Sequence, residues 1–262
     1  MSTGYDVSTK NLVIALSEAY FTPSGETGAI YMGDTTTLAV TQSVEKTKIQ
    51  STSTPIAVDR VNMVKSVSRE MTLETQDVTD QLEEIFFMGT KTASTQSATP
   101  VTGEAHAGLV GGRWYQCGVT TDNPFGKTDL SAFSITNDAV TPVAGVLGTD
   151  YEVNLAAGKF YIIEGGLLDG DGGIVAYTPT AVSKTRIQSH NNGPARGSLM
   201  VTPVGTTGTQ KPIFLPLVEL GPSGDVPYND RENSQKLSFS VSILDPGDGS
   251  SQIELFGATV AA

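Results

Sequence analysis

The chain has one cysteine, one tryptophan and two histidines in 262 residues, and no long hydrophobic run. Each scarcity excludes something. A lone Cys117 cannot close an intramolecular disulfide, and a small half-buried side chain is a simpler reading than a reactive thiol. His106 and His190 stand in no metal-ligand spacing and read as solvated loop residues. HExxH, CxxC and GxSxG are absent, as are both glycine-rich phosphate loops. No catalytic residue, metal ligand or cofactor is therefore assigned, and an enzyme is not expected. No stretch approaches the roughly 18 apolar residues that span a bilayer. The N-terminal apolar run is only Leu12 to Leu16, and Asp6 precedes the first lysine. That fits no secretory signal, so synthesis in the cytoplasm and no membrane partner are expected.

Positive charge is also short. Sixteen Lys and Arg face 28 Asp and Glu, a net charge of −12. Such a surface repels phosphate and argues against tight nucleic-acid binding, and it keeps a concentrated subunit soluble. The excess is uneven: residues 1–68 hold six acidic and five basic side chains, residues 219–254 seven and two.

What the chain has in quantity is Gly, Ser and Thr among short apolar alternations, the profile of many strands joined by turns. Residues 11–22 read as a first strand, ended at Pro23. Leu38 and Val40 begin a second, which could continue past Val44. Residues 46–62 are Thr/Ser/Gln-rich with a proline at 55, a long polar connection that is either a surface loop or an inter-subunit arm. Its candidate contact residues are Lys46, Lys48, Ile49, Pro55, Ile56 and Val61. Over 67–74 the period is two, with Val67, Arg69, Met71 and Leu73 on one face. A helix of about three turns follows, capped by Asp77 and closed at Gly89, with an apolar stripe of Val78, Leu82, Ile85 and Phe86.

Residues 91–104 read as a linker and 105–182 as an inserted β-rich module. Its candidate strands are at Trp114-Tyr115, Phe133 to Ile135, Asp150 to Leu155, Lys159 to Glu164 and Ile174 to Tyr177. Residues 183–196 read as a polar bridge. Three alternating strands end the chain, at 198–204, 213–220 and 236–244, before a short closing segment at Ile253 to Phe256. In the 236–244 strand, Ser238, Ser240 and Ser242 share a face, which suggests water or a polar lumen on that side. The core is thus expected to be split, 1–90 with 183–262.

Three constellations invite chemistry. Asp169-Gly170-Asp171-Gly172-Gly173 resembles half a calcium loop, but position twelve is Thr180 and not the required glutamate, so a glycine-rich turn is expected. Asp80, Glu83 and Glu84 read as a solvated helix face. Trp114 and Tyr115 form an adjacent aromatic pair of the kind a carbohydrate-binding sandwich displays, or else belong to the core of the inserted module.

The order of elements resembles the major tail tube proteins of long-tailed bacteriophages. The matching parts are SVSREMTLETQDVTDQLEEIFFMG (66–89), RGSLMVTPVGTTGTQKPIFLPLVELGPSG (196–224) and KLSFSVSIL (236–244). The stretch 150–178 looks like a module many such proteins carry. The resemblance implies a mainly β fold of two packed sheets, sandwich- or barrel-like, flanked by one helix. It implies hexameric rings that stack into a tube in the virion tail, with partners in further copies of the chain, a tape-measure protein and terminator or tip proteins. DNA would pass through the lumen without specific binding, and an acidic wall would repel it over roughly 8 Å. Residues 46–62 would be an arm reaching the next ring. Another virion component, such as a decoration or tail-tip protein, and an adhesin-like sandwich are the alternatives.

Overall fold

A computed structural model describes residues 16–50, 59–189, 192–204 and 211–257. The protein is mainly β, with several antiparallel sheets and one helix. The elements run β1 (Ser17–Pro23), β2 (Ile30–Tyr31), β3 (Thr35–Gln50), β4 (Asp59–Thr75), α1 (Asp80–Phe86), β5 (Gly89–Gln96), β6 (Val101–His106), β7 (Trp114–Gln116) and β8 (Leu130–Asn137). Then come β9 (Tyr151–Asn154), β10 (Lys159–Ile162), β11 (Gly173–Pro179), β12 (Val182–Ser189), β13 (Ala195–Pro203), β14 (Ile213–Pro222), β15 (Leu237–Ile243) and β16 (Glu254–Leu255). Two compact units emerge: Met1–Thr92 with Ile187–Ala262, and Ala93–Arg186.

The first unit is built on an antiparallel sheet in the order β2-β1-β13-β14-β15-β4-β3, with β16 on β14. Alternation decides its inner face. In β15, Leu237, Phe239, Val241 and Ile243 are buried while the intervening serines are half-buried. Met71 and Leu73 of β4, Ala19 and Phe21 of β1, and Leu199 and Val201 of β13 join the same core. Leu82 and Phe86 of α1 complete it, Phe86 standing edge-on to Phe239 at 5.7 Å. The sheet curls until the Thr35 hydroxyl donates to the Ser17 carbonyl at 3.3 Å, without closing a barrel.

The helix is shorter than its apolar stripe predicts, and both caps move. Thr79 is the N-cap, its hydroxyl accepting from the Leu82 amide, with Asp80 and Glu83 in the first turn where negative charge suits the dipole. Asp77 cannot cap because its carboxylate accepts from the Asp34 amide at 3.0 Å. That bond locks the β2–β3 turn onto the end of β4. Gly33, at φ +78, makes it possible: a Cβ there would lie 2.4 Å from the Asp77 Cβ. At the other end Met88 takes the left-handed turn at φ 46. Gly89 opens β5, where a Cβ would meet the Gln188 carbonyl at 2.8 Å.

Two stretches that read as connectors are strands. Residues 91–104 hold most of β5 and the start of β6, and 183–196 hold most of β12 and the start of β13. β5 and β12 carry the chain between units and pair with each other. Small Thr and Ser side chains suit a ribbon that packs little but bonds along its backbone.

The second unit has two three-stranded antiparallel sheets, β7-β10-β9 and β6-β11-β8. Tyr151, Phe160 and Ile162 from one meet Ile135, Val175 and Tyr177 from the other, with Leu109, Cys117 and Leu168 filling between. Its turns are tied by carboxylates to backbone amides. Asp150 accepts from Val146 and Leu167 at 2.8 Å, which holds its carboxyl below the usual range. Asp169, the first residue of the glycine-rich turn, accepts from Gly111 at 2.7 Å and Gly165 at 2.9 Å.

Phe239→Ala should cost about 3–5 kcal/mol, because it opens a cavity where the helix meets the sheet. Thr79→Ala should cost about 1 kcal/mol through the lost cap. Denaturant unfolding of the two variants against the parent checks both.

Candidate assembly surface

β3 and β4 form one hairpin of 16- and 17-residue strands. Their inner halves belong to the sheet. β15 pairs with β4 only from Glu70 to Thr75. Beyond Glu70, β4 pairs among the described residues with β3 alone, through Val44↔Val67, Lys46↔Val64, Thr47↔Met63, Ile49↔Val61 and Gln50↔Asp59. β3 is itself the last strand of the sheet. At about 3.3 Å per residue, Gln42 to Gln50 extends the ribbon roughly 30 Å past its last inner partner.

The expected polar loop over 46–62 is therefore strand up to Gln50 and again from Asp59. Of its candidate contacts, Pro55 and Ile56 lie outside the described residues. Strand wins because Thr47 and Ile49 alternate opposite Val61 and Met63, a β-capable pattern on both sides. A bulge between Glu45 and Lys46 sets the faces. On its inner side, Val40, Val44 and Val67 continue the core face outward. On its outer side, Ile49, Val61 and Met63 share one face, and Lys46, Lys48 and Val64 share the other. These apolar residues are exposed: Ile49 at 53%, Met63 at 58% and Val64 at 59%. Val44, Met63, Val64 and Val67 were not among the expected contacts, and their apolar, β-capable type was the one signal for them in the sequence.

Polar pairs brace the ribbon at the bulge. Lys65 meets Glu45 at 2.8 Å, and the Ser66 hydroxyl donates to the same carboxylate at 3.1 Å. Lys65 and then Ser66 hold the Glu45 carboxyl below its ordinary range. At the base, Lys236 does the same for Glu74, 3.0 Å away. Exposed pairs of this kind align the strands more than they stabilise them.

His106 and Cys117, expected to be inert, fall elsewhere, in the second unit. His106 is not a solvated loop residue. It ends β6 half-buried, edge-on to Phe160 at 5.2 Å. Its Nε2 lies 3.0 Å from Glu104 Oε1, without hydrogen-bonding alignment. Glu104 also accepts from the Tyr177 hydroxyl at 2.6 Å and the Gly118 amide at 2.9 Å. Burial pushes the Glu104 carboxyl up, but His106, Tyr177 and Gly118 together outweigh it and hold it below the usual range. Cys117 is fully buried, and burial, helped by the Glu104 charge, pushes its thiol up to about 12, which makes it inert. His190 lies outside the described residues. Among the described residues no three His, Cys, Asp or Glu side chains are grouped as a metal site.

Because the folded Glu104 carboxyl titrates below its unfolded value of about 4.3, its contribution is fully present above that pH. The contribution is lost as pH falls through the folded pKa. Glu104→Gln should cost about 1–3 kcal/mol at neutral pH, and its gap from the parent should close as pH drops below about 4. Urea unfolding followed by the emission of Trp114, the sole tryptophan and part of the same unit, measures this.

No curated protein matches the chain. A family model does, and it spans the hairpin, the helix, the whole second unit and part of β13. The chain belongs to the family described as protein of unknown function UCP028589, whose model matches residues 14–199.

Proposed function

We propose that the chain is a structural virion subunit, a major tail tube protein whose copies form rings that stack into a channel for DNA. One observation carries the reading: a long hairpin that leaves the sheet with apolar residues which nothing among the described residues covers on either face. A two-stranded ribbon is marginal in water on its own. An exposed, apolar terminal strand is a template for pairing with another chain. Both deficits are met at once when the ribbon packs on a second copy.

The order of elements, which resembles the tail tube family, supports the same reading. A contact between the ribbon and a different patch of the next copy is heterologous, and such contacts generate rings where the rotation closes and filaments where it does not. Tape-measure and terminator or tip proteins would be the further partners, and DNA would pass the acidic lumen without specific contacts. The half-buried serines of β15 fall on the face turned away from the helix and core, consistent with the polar surface such a channel needs.

Electron microscopy of concentrated protein should show rings or tubes. Met63→Glu with Val64→Glu should abolish them while changing the unfolding free energy by no more than about 0.5 kcal/mol per site, as expected for exposed positions. Monomers alone at every concentration, or assembly indifferent to both charges, would refute the proposal.

A further inference from the structure

The adjacent pair Trp114-Tyr115 divides between the two faces of its strand. Tyr115 turns inward and stacks on Phe160 at 5.6 Å, its hydroxyl accepting from the Val110 amide. Trp114 turns outward and is 54% exposed. Its partner comes from β10: Tyr161 sits directly across the ladder, 5.3 Å away between ring centroids and tilted by 48°. On the far side Tyr161 pairs with the exposed Glu152 of β9. One row therefore reads Trp114, Tyr161, Glu152 across three strands, about 10 Å from end to end.

A second row lies beside it on the same face. It reads Gln116, Lys159, Asn154. The Gln116 amide is committed, donating to the carbonyls of Lys127, Ala157 and Gly158. Lys159 and Asn154 are exposed. The Asn154 side-chain oxygen accepts from the Ala157 amide at 3.0 Å, which fixes the side chain, and no bond from its amide nitrogen is made among the described residues. Neither Glu152 nor Lys159 makes an ion pair among the described residues.

We propose that this face is a glycan-binding platform. Trp114 and Tyr161 stack on the apolar C–H side of a pyranose ring, while Glu152, Lys159 and Asn154 meet its hydroxyls. The chemistry of the face selects the ligand. Two tilted aromatic rings offer a broad apolar surface but no enclosed pocket, which suits a ring lying flat better than a small apolar molecule. Around them stand one carboxylate acceptor, one ammonium donor and one amide. A hydroxyl-rich neutral ligand uses donors and acceptors together. An anionic ligand would meet Glu152 and a chain of net charge −12, and a cationic one would meet Lys159. Both aromatic side chains sit on hydrogen-bonded strands and brace each other, so little ordering remains for binding to impose.

The platform carries the chain's only tryptophan, so its emission reports the site directly. Full-length protein is titrated with soluble tetramers of β-1,4-linked glucose, α-1,4-linked glucose and β-1,4-linked N-acetylglucosamine. At least one should give a saturable blue shift in the micromolar to millimolar range. By calorimetry, Trp114→Ala should abolish that binding. Tyr161→Ala and Glu152→Ala should each weaken it on the order of tenfold, a change of about 1.4 kcal/mol. Phe125→Ala, at a residue 74% exposed elsewhere in the unit, should leave it intact. Unchanged thermal midpoints show that the variants fold; if Trp114→Ala fails that check, Trp114→Phe and Tyr161→Ala carry the comparison. The proposal is overturned if no probe gives a saturable shift. Binding that survives Trp114→Ala overturns it too, as does a blue shift that appears with protein concentration alone, which marks a contact between copies.

Discussion

β4 is asked to do two things at once, and the rest of the first unit follows from that. From Glu70 to Thr75 it is an interior strand, bonded to β15 on one side and β3 on the other. From Asp59 to Arg69 its only strand partner among the described residues is β3. A backbone that loses one row of partners must meet water or another chain. The inner half can bury Met71 and Leu73 because α1 and the curled sheet cover them. Arg69 still bonds the Gln252 side chain, but from Val61 to Ser68 the outer half is exposed. The Glu45 bulge then changes which face the apolar residues occupy. The ribbon is thus an extension of the core pattern into solvent, and the proposed assembly is a way of completing that pattern.

The parts of the fold that were legible are those where period and burial agree. Leu237, Phe239, Val241 and Ile243 alternate with serines, and Met71 and Leu73 alternate with Thr72 and Glu74. Each set has one possible inward face. The misread parts are those where composition and backbone pairing disagree. Residues 91–96 and 183–189 hold few large apolar side chains, yet they bond to each other as β5 and β12. Hydrogen bonding along a ribbon needs no apolar signature, so polarity was a poor guide there. The same error turned both ends of 46–62 into a loop. The helix failed differently. Asp77 is a good cap by type, but Asp34, 43 residues earlier, claims its carboxylate. A local rule cannot see a bond that arrives from another turn.

The second unit shows the same division. Although β6 reads largely as linker in the sequence, most strands of this unit stood out, because Ile135, Phe160, Ile162 and Val175 are bulky and their turns are rich in glycine. The fate of its polar residues did not. Asp169 tempts a calcium reading, but its oxygens already accept two backbone amides. His106 looks like a loop residue in sequence and lies against Phe160 in space. Tyr161 stands 47 positions from Trp114, so only the ladder register reveals that the exposed ring has a partner.

Charge links these features. A net −12 makes copies of the chain repel one another at a distance, but screening at physiological salt confines that repulsion to roughly 8 Å. In the proposed assembly, short-range contacts would therefore have to do the joining. The acidic excess is concentrated near the C-terminal strands, while residues 1–68, which include the ribbon, are nearly balanced. Lys46 and Lys48 share one face of that ribbon and Ile49, Val61 and Met63 the other. In the proposed assembly, such an arm would bury its apolar face against a neighbouring copy while keeping its own charge nearly balanced. A ribbon as acidic as the rest of the chain would lose the second of those advantages, and a wholly apolar one would associate without a preferred partner. Under the proposal, a near-neutral hairpin on an acidic chain would favour contact between unlike patches, and contact between unlike patches is what would let subunits add one after another.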